Sequence, residues 1–160
     1  MDIRPEKSPG AEEVPDILLV EDNLHDVELV LRALRRGGQA ASVLHLRDGA
    51  EALAYLFEGT ERPLPRLVLL DLKLPKVDGL EVLRRIKENG RTRTIPVVML
   101  TSSSEESDVR RSYSLGVNSY VVKPVNYDEF VRAVTDVGHY WLAMNRPDAV
   151  AGGPGAGGVA

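Results

Sequence analysis

The sequence predicts an α/β fold: a single domain with a doubly wound parallel sheet built from five strand–helix units. Three observations predict it. Short apolar runs lack polar alternation, amphipathic helical patterns separate them, and a capping residue stands where each helix should begin. The 160 residues suffice for one well-packed domain and not for two ordinary ones. With 43% hydrophobic and 28% charged residues the chain reads as globular.

The runs Ile17–Val20, Leu67–Leu70, Val97–Leu100 and Tyr120–Val122 are apolar on consecutive residues. Such runs suit strands covered on both faces, as in the middle of a parallel sheet. A fifth run, Ser42 to Leu46, is more mixed and suits a sheet edge. Between them, Leu24, Val27, Val30, Leu31 and Leu34 share one helical face. Leu80, Leu83 and Ile86 share another, with Arg84 and Lys87 turned outward.

Each of five helix starts pairs a capping residue with an acid three positions on: Asn23/Asp26, Asp48/Glu51, Asp78/Glu81, Ser103/Glu106 and Asn126/Glu129. The cap oxygen accepts from a free N–H of the first turn, and the acid lies at the positive end of the helix dipole. Gly37-Gly38, Gly59, Gly90 and Gly116 fall where four helices should end. Right-handed crossovers between such units give a parallel sheet with helices on both faces.

Residues 1–15 and 146–160 read as a disordered and a flexible Gly/Ala/Pro-rich tail around a folded unit of residues 16–145, because neither tail can bury enough apolar surface to offset its ordering entropy. The net charge of −4 argues against nucleic acid as a partner. No apolar run approaches a membrane span, and the polar N-terminus is no signal peptide. Cysteine is absent, which removes disulfides and thiolate chemistry and suits a reducing compartment. A cytoplasmic location is expected. His25, His45 and His139 form no ligand set and read as ordinary surface or partly buried residues.

The acids carry the chemistry. Glu21 and Asp22 follow the first strand and Asp71 ends the third. In a parallel αβ sheet that edge is where ligands bind. Crowded carboxylates raise one another's pKa unless a cation joins them, and oxygen-only ligands with few protein donors favour Mg²⁺, with Mn²⁺ a substitute. Thr101 after the fourth strand and Lys123 after the fifth reach the same edge. A carboxylate nucleophile, a divalent metal, a hydroxyl and an ammonium together suit phosphoryl transfer.

Four motifs in order now resemble the receiver domain of response regulators over roughly Ile17 to Met144. They are Val20-Glu21-Asp22-Asn23, Leu69 to Gly79 around Asp71, Pro96 to Thr101, and Tyr120-Val121-Val122-Lys123-Pro124. The resemblance implies a flavodoxin-like fold with strand order 2-1-3-4-5 and phosphorylation of Asp71 by a histidine kinase. It implies Mg²⁺ held by Glu21, Asp22, Asp71 and the Lys73 backbone carbonyl, and phosphoryl contacts from Thr101 and Lys123. It also implies a switch in which Thr101 and Tyr120 reshape the face of the fourth helix, fifth strand and fifth helix. A receiver acts on itself and is no turnover enzyme. The Lys73 side chain, two residues past the acceptor, is expected at the site mouth, where it would alter the lifetime of the acyl phosphate.

Two other classes fit less well. Haloacid-dehalogenase-type phosphohydrolases need a second acid where this chain has Lys73. A flavodoxin-like cofactor binder needs a phosphate loop after the first strand, where this chain has acids. More narrowly, the Gly59–Arg66 segment, Ser112-Tyr113-Ser114-Leu115, Val117 to Tyr120 and His139-Tyr140-Trp141-Leu142 resemble the small regulators paired with bacterial phytochromes. That likeness implies a bacteriophytochrome kinase. In the last helix, Phe130, Val134, Val137 and Trp141 can face the sheet. Ala133, Val137, Tyr140 and Met144 form a second apolar stripe. With Trp141, they are candidates for a homodimer interface on the face of the fourth helix, fifth strand and fifth helix.

Overall fold

A computed structural model of the protein describes residues 14–38, 41–59 and 63–148. Most of the two expected tails (1–13 and 149–160) and part of the Gly59–Arg66 segment lie outside the described residues. The order is β1 (Ile17–Val20), α1 (Leu24–Arg36), β2 (Val43–Leu46), α2 (Gly49–Phe57), β3 (Leu67–Leu70), α3 (Gly79–Glu88), β4 (Val97–Thr101), α4 (Glu106–Ser114), β5 (Ser119–Val122) and α5 (Tyr127–His139). The helical chain continues from α5 into a π-helical turn, Tyr140–Met144.

The sheet order is β2-β1-β3-β4-β5, and each neighbouring pair is parallel. Strand side chains alternate between two cores, because successive side chains point to opposite faces. Ile17, Leu19, Leu67, Leu69, Val98 and Leu100 pack with α1 and α5 residues such as Val30, Ala33, Phe130 and Val134. Leu18, Val20, Val68, Leu70, Val97 and Met99 pack on the other side with Ala52, Leu56, Leu83 and Ile86 of α2 and α3. This is the doubly wound, flavodoxin-like architecture. Each fully buried aliphatic side chain stabilises it by about 1.5–3 kcal/mol.

Four of the five expected caps form: Asn23, Asp48, Asp78 and Asn126 each accept from a first-turn N–H. The fourth does not. Helix α4 begins at Glu106, and its cap position, Glu105, makes no side-chain cap bond. Ser103 lies in the loop before it, where its hydroxyl donates to Asp108 Oδ2 at 2.5 Å.

Three further expectations are corrected. Strand β5 is half-buried to exposed along its length, since it is the sheet's edge; apolar composition alone does not show which strand lacks a neighbour. Leu24 is 61% exposed, because it opens α1 at the end of the sheet, whereas Val27, Val30 and Leu34 are buried as expected. Lys87 does not point into solvent. Its ammonium donates to the carbonyls of Arg93 (3.0 Å) and Ile95 (2.9 Å) and to Asn118 Oδ1 (2.8 Å). It thereby ties the end of α3 to the entries of β4 and β5, and burial pushes it down to about 8. Gly116 (φ +96°) passes over its aliphatic stem, where a Cβ would lie 3.3 Å from Lys87 Cγ. Glycine serves there for both conformation and space.

Along α5, Phe130 and Val134 are buried, and Val137 and Trp141 pack against the α1–α5 core. Ala133 is half-buried, and Tyr140 and Met144 are exposed. The Trp141 and Tyr140 rings meet edge to face at 4.9 Å. Tyr113 of α4 and Val122 of β5 are exposed as well.

Candidate functional site

The carboxyl edge of the sheet gathers the residues expected there. Three backbone hydrogen bonds extend the strand ladders by one residue: Glu21 N–H to Leu46 O at 3.0 Å, Asp71 N–H to Val20 O at 3.0 Å, and Lys123 N–H to Thr101 O at 2.7 Å. The reactive side chains therefore start from the rigid sheet, one step past its last paired residue. Beneath Asp71, Gly79 N–H donates to Leu72 O at 2.7 Å, and a Cβ on Gly79 would lie 2.1 Å from the Asp71 carbonyl oxygen. The turn from β3 into α3 requires glycine at that position.

Carboxylate oxygens of Glu21, Asp22 and Asp71 lie within 4.8 Å of one another. Glu21 is buried, Asp71 half-buried and Asp22 exposed. The Lys123 ammonium, whose side chain is 7% exposed, faces Glu21 Oε1 in a close ion pair, Asp26 Oδ2 at 2.9 Å and Asp71 Oδ2 at 3.2 Å. Burial alone would push that ammonium down. Hydrogen bonds to Asp26 and Glu21 and the charge of Asp71 hold it above the usual lysine range instead. Glu21 shows the complementary effect: burial first, then the Asp71 carboxylate, pushes it up to about 8 against the pull of Lys123. Three carboxylates thus face one ammonium, Asp22 adds a fourth beside them, and the site is short of positive charge.

That deficit is the test of fit for a divalent ion. An oxygen-only set that is partly open to solvent and includes a half-buried carboxylate suits Mg²⁺, which keeps waters and takes phosphate oxygens. Beside Asp71 an open cleft of about 380 Å³ is lined by Lys73, Thr101 and the loop 102–105. Lys73, one of those lining residues, is exposed.

Thr101 is 1% exposed, and its Oγ1 accepts from Ser103 N–H at 3.3 Å. The Tyr120 hydroxyl donates to the Ser103 carbonyl at 2.8 Å. Both expected switch residues therefore hold the same residue, one through its N–H and the other through its C=O.

Comparisons with known proteins agree with this geometry. The family described as response regulator receiver domain matches residues 17–135, and the chain belongs to that family. Receiver domains bind Mg²⁺. The chain is 52% identical to the probable methanogenesis regulatory protein FilR2 of Methanothrix harundinacea, over 81% of this chain and 85% of that protein. It resembles the Mn²⁺-bound form of response regulator Rcp1, known from Synechocystis, with a TM-score of 0.78 and 42% identity over 84% of this chain and 99% of the other. It also resembles the bacteriophytochrome response regulator RtBRR, with a TM-score of 0.66 and 52% identity over 85% of each chain.

Two residues at the site escaped the sequence reading. Asp26 was assigned to a capping pair, which it does form (Asp26 N–H to Asn23 Oδ1, 3.2 Å). Its side chain, however, reaches Lys123. That contact joins the first turn of α1 to the loop after β5, and no local spacing marks it. His45 is half-buried, and its Nε2–H donates to the Glu21 carbonyl at 2.7 Å. No sequence pattern marked it, because the contact crosses from β2 to the loop after β1.

The position of Glu21 generates a prediction for the protein without a divalent ion. Its folded pKa of about 8 exceeds its ordinary 4.5, so between those values the native state holds a proton the unfolded chain has released. Stability from this group is full below about 4.5 and falls as pH rises towards 8, by a few kcal/mol (~1.4 per unit). Urea unfolding in EDTA from pH 5 to 8 should show that decline, flattened in Glu21→Gln and by added Mg²⁺; parallel curves for wild type and variant would contradict it.

Proposed function

We propose that the protein is a single-domain response regulator whose Asp71 accepts a phosphoryl group from a histidine kinase. The observation that supports this most directly is the Lys123 ammonium placed against Asp71 and Glu21 at the carboxyl edge of the sheet. In the proposed reaction an Asp71 oxygen attacks the phosphorus of phosphohistidine. The new P–O bond forms as the P–N bond breaks, and the electron pair leaves on the imidazole nitrogen, which is then protonated from solvent. Lys123 bonds one equatorial phosphoryl oxygen and stabilises the charge developing there. Mg²⁺, held by Glu21, Asp22, Asp71 and the Lys73 carbonyl, supplies positive charge that offsets the crowded carboxylates. The Thr101 hydroxyl keeps its proton free while accepting from Ser103, so it can donate to a second phosphoryl oxygen. That pull on the 102–105 loop reaches α4 and Tyr120, and the α4-β5-α5 face changes shape.

The chain acts on itself and releases no product of a separate substrate, so we read it as a phosphoacceptor and not as a turnover enzyme. The likeness to RtBRR supports a bacteriophytochrome as the kinase. Among the described residues no helix is long and apolar enough to cross a membrane, and we place the protein in the cytoplasm with its kinase. Exposed Tyr140 and Met144, with Ala133, Val137 and Trp141 beside them, support a homodimer through the α4-β5-α5 face and the turn after α5.

Incubation with acetyl phosphate and Mg²⁺, read by intact mass, should add one phosphate to the wild type and none to Asp71→Asn; a labelled Asp71→Asn or an unlabelled wild type would refute the assignment. In the same assay Lys73→Ala should lose its phosphate roughly fivefold faster, since an exposed charge pair is worth up to about 1 kcal/mol; an unchanged rate removes the role given to Lys73. Sedimentation at micromolar concentration should give a dimer that Tyr140→Glu dissociates, and a monomeric wild type would overturn that part.

A further inference from the structure

We propose that Asp26 is a positioning residue for Lys123: it holds the ammonium over Asp71 when the other two acceptors turn to the divalent ion. This inference rests on the phosphoacceptor reading above. An ammonium has three N–H donors, and here they meet Glu21, Asp26 and Asp71. Two of those acceptors, Glu21 and Asp71, belong with Asp22 to the cluster that would bind the ion, and Asp26 does not. Oxygens drawn towards a divalent ion, or converted to an acyl phosphate, have less to offer Lys123. Asp26 keeps its lone pairs throughout.

The position of Asp26 is itself well fixed. It lies in the first turn of α1, with its N–H held by the Asn23 cap, so its carboxylate approaches Lys123 from a rigid element. The Lys123 and Asp26 side chains are 7% and 20% exposed, which leaves water little room to replace the contact. A four-carbon lysine stem rooted on the loop after β5 has many rotamers, and the 2.9 Å bond to Asp26 selects one that leaves an N–H over Asp71.

The lysine ammonium itself can be observed. In the full chain, ¹H–¹⁵N correlation of slowly exchanging NH₃⁺ groups, assigned by loss of the signal in Lys123→Arg, should show Lys123 in the wild type with and without Mg²⁺. In Asp26→Ala the signal should survive without Mg²⁺, held by Glu21 and Asp71, and disappear when Mg²⁺ is added. Labelling by acetyl phosphate at saturating Mg²⁺ should slow about tenfold, while Mg²⁺ affinity by calorimetry stays within about threefold. Asp26→Asn, which keeps an acceptor oxygen at the same place, should restore most of the rate and the signal. A Lys123 signal that persists in Mg²⁺-loaded Asp26→Ala overturns the proposal, as does an Asp26→Asn as slow as Asp26→Ala. If the wild type takes no phosphate, the phosphoacceptor reading fails, and the ammonium signal still reports on Asp26.

Discussion

Carboxylates of like charge do not gather at one edge of a sheet without something to hold them there, and in this protein the first holder is the Lys123 ammonium. It is buried, it touches three acids, and it is still one positive charge against four negative ones. Two unit charges about 4 Å apart interact by roughly 4 kcal/mol at an effective dielectric near 20. The surplus therefore cannot be left uncompensated, and the raised Glu21 records how the folded chain copes without a metal, by keeping a proton. A divalent ion bound there would replace that proton with positive charge. In the proposed reaction a phosphoryl group on Asp71 would add further negative charge at the same point, and the cation requirement would grow with it.

The sheet is what makes this crowding reproducible. Glu21, Asp71 and Lys123 each lie one residue beyond a strand, and each is held by a backbone bond to the neighbouring strand. The two-sided core supports that edge: alternate residues of β1, β3 and β4 are committed to opposite faces, so a slip of one residue would turn every buried leucine and valine towards the wrong layer. Register set by apolar packing thus becomes distance between carboxylates. The same logic places glycine at position 79, where a side chain would strike the backbone of Asp71 itself.

Much of this could be read from the residues because the strongest signals were redundant. Consecutive apolar residues announced β1, β3 and β4, and four caps of the expected kind formed. The failures share a physical cause, which is that a side chain's partner across the fold is invisible to local pattern. Val122 is as apolar as Val98 but stands on an edge strand. Lys87 occupies an outward helical position, yet its long stem folds back to three acceptors at the entries of β4 and β5. Asp26 satisfied one local rule so well, as a helix first-turn acid, that its second contact to a lysine 97 residues away was hidden.

Ser103 illustrates how the site can act beyond itself. Its N–H is held by Thr101, its carbonyl by Tyr120 and its hydroxyl by Asp108 of α4. Nothing in its sequence position suggested more than a helix cap, and the cap is the one role it does not fill. In the proposed switch Thr101 must turn its hydroxyl proton towards a phosphoryl oxygen, and any movement of its oxygen changes the bond to Ser103. Because Tyr120 and Asp108 grip the same residue, that movement cannot stay within the loop. It is shared at once with an aromatic ring on the edge strand and with the first turn of α4. In that switch a single small residue with four hydrogen bonds converts a local change in charge into a change of surface, provided the competing arrangements differ by only a few kcal/mol.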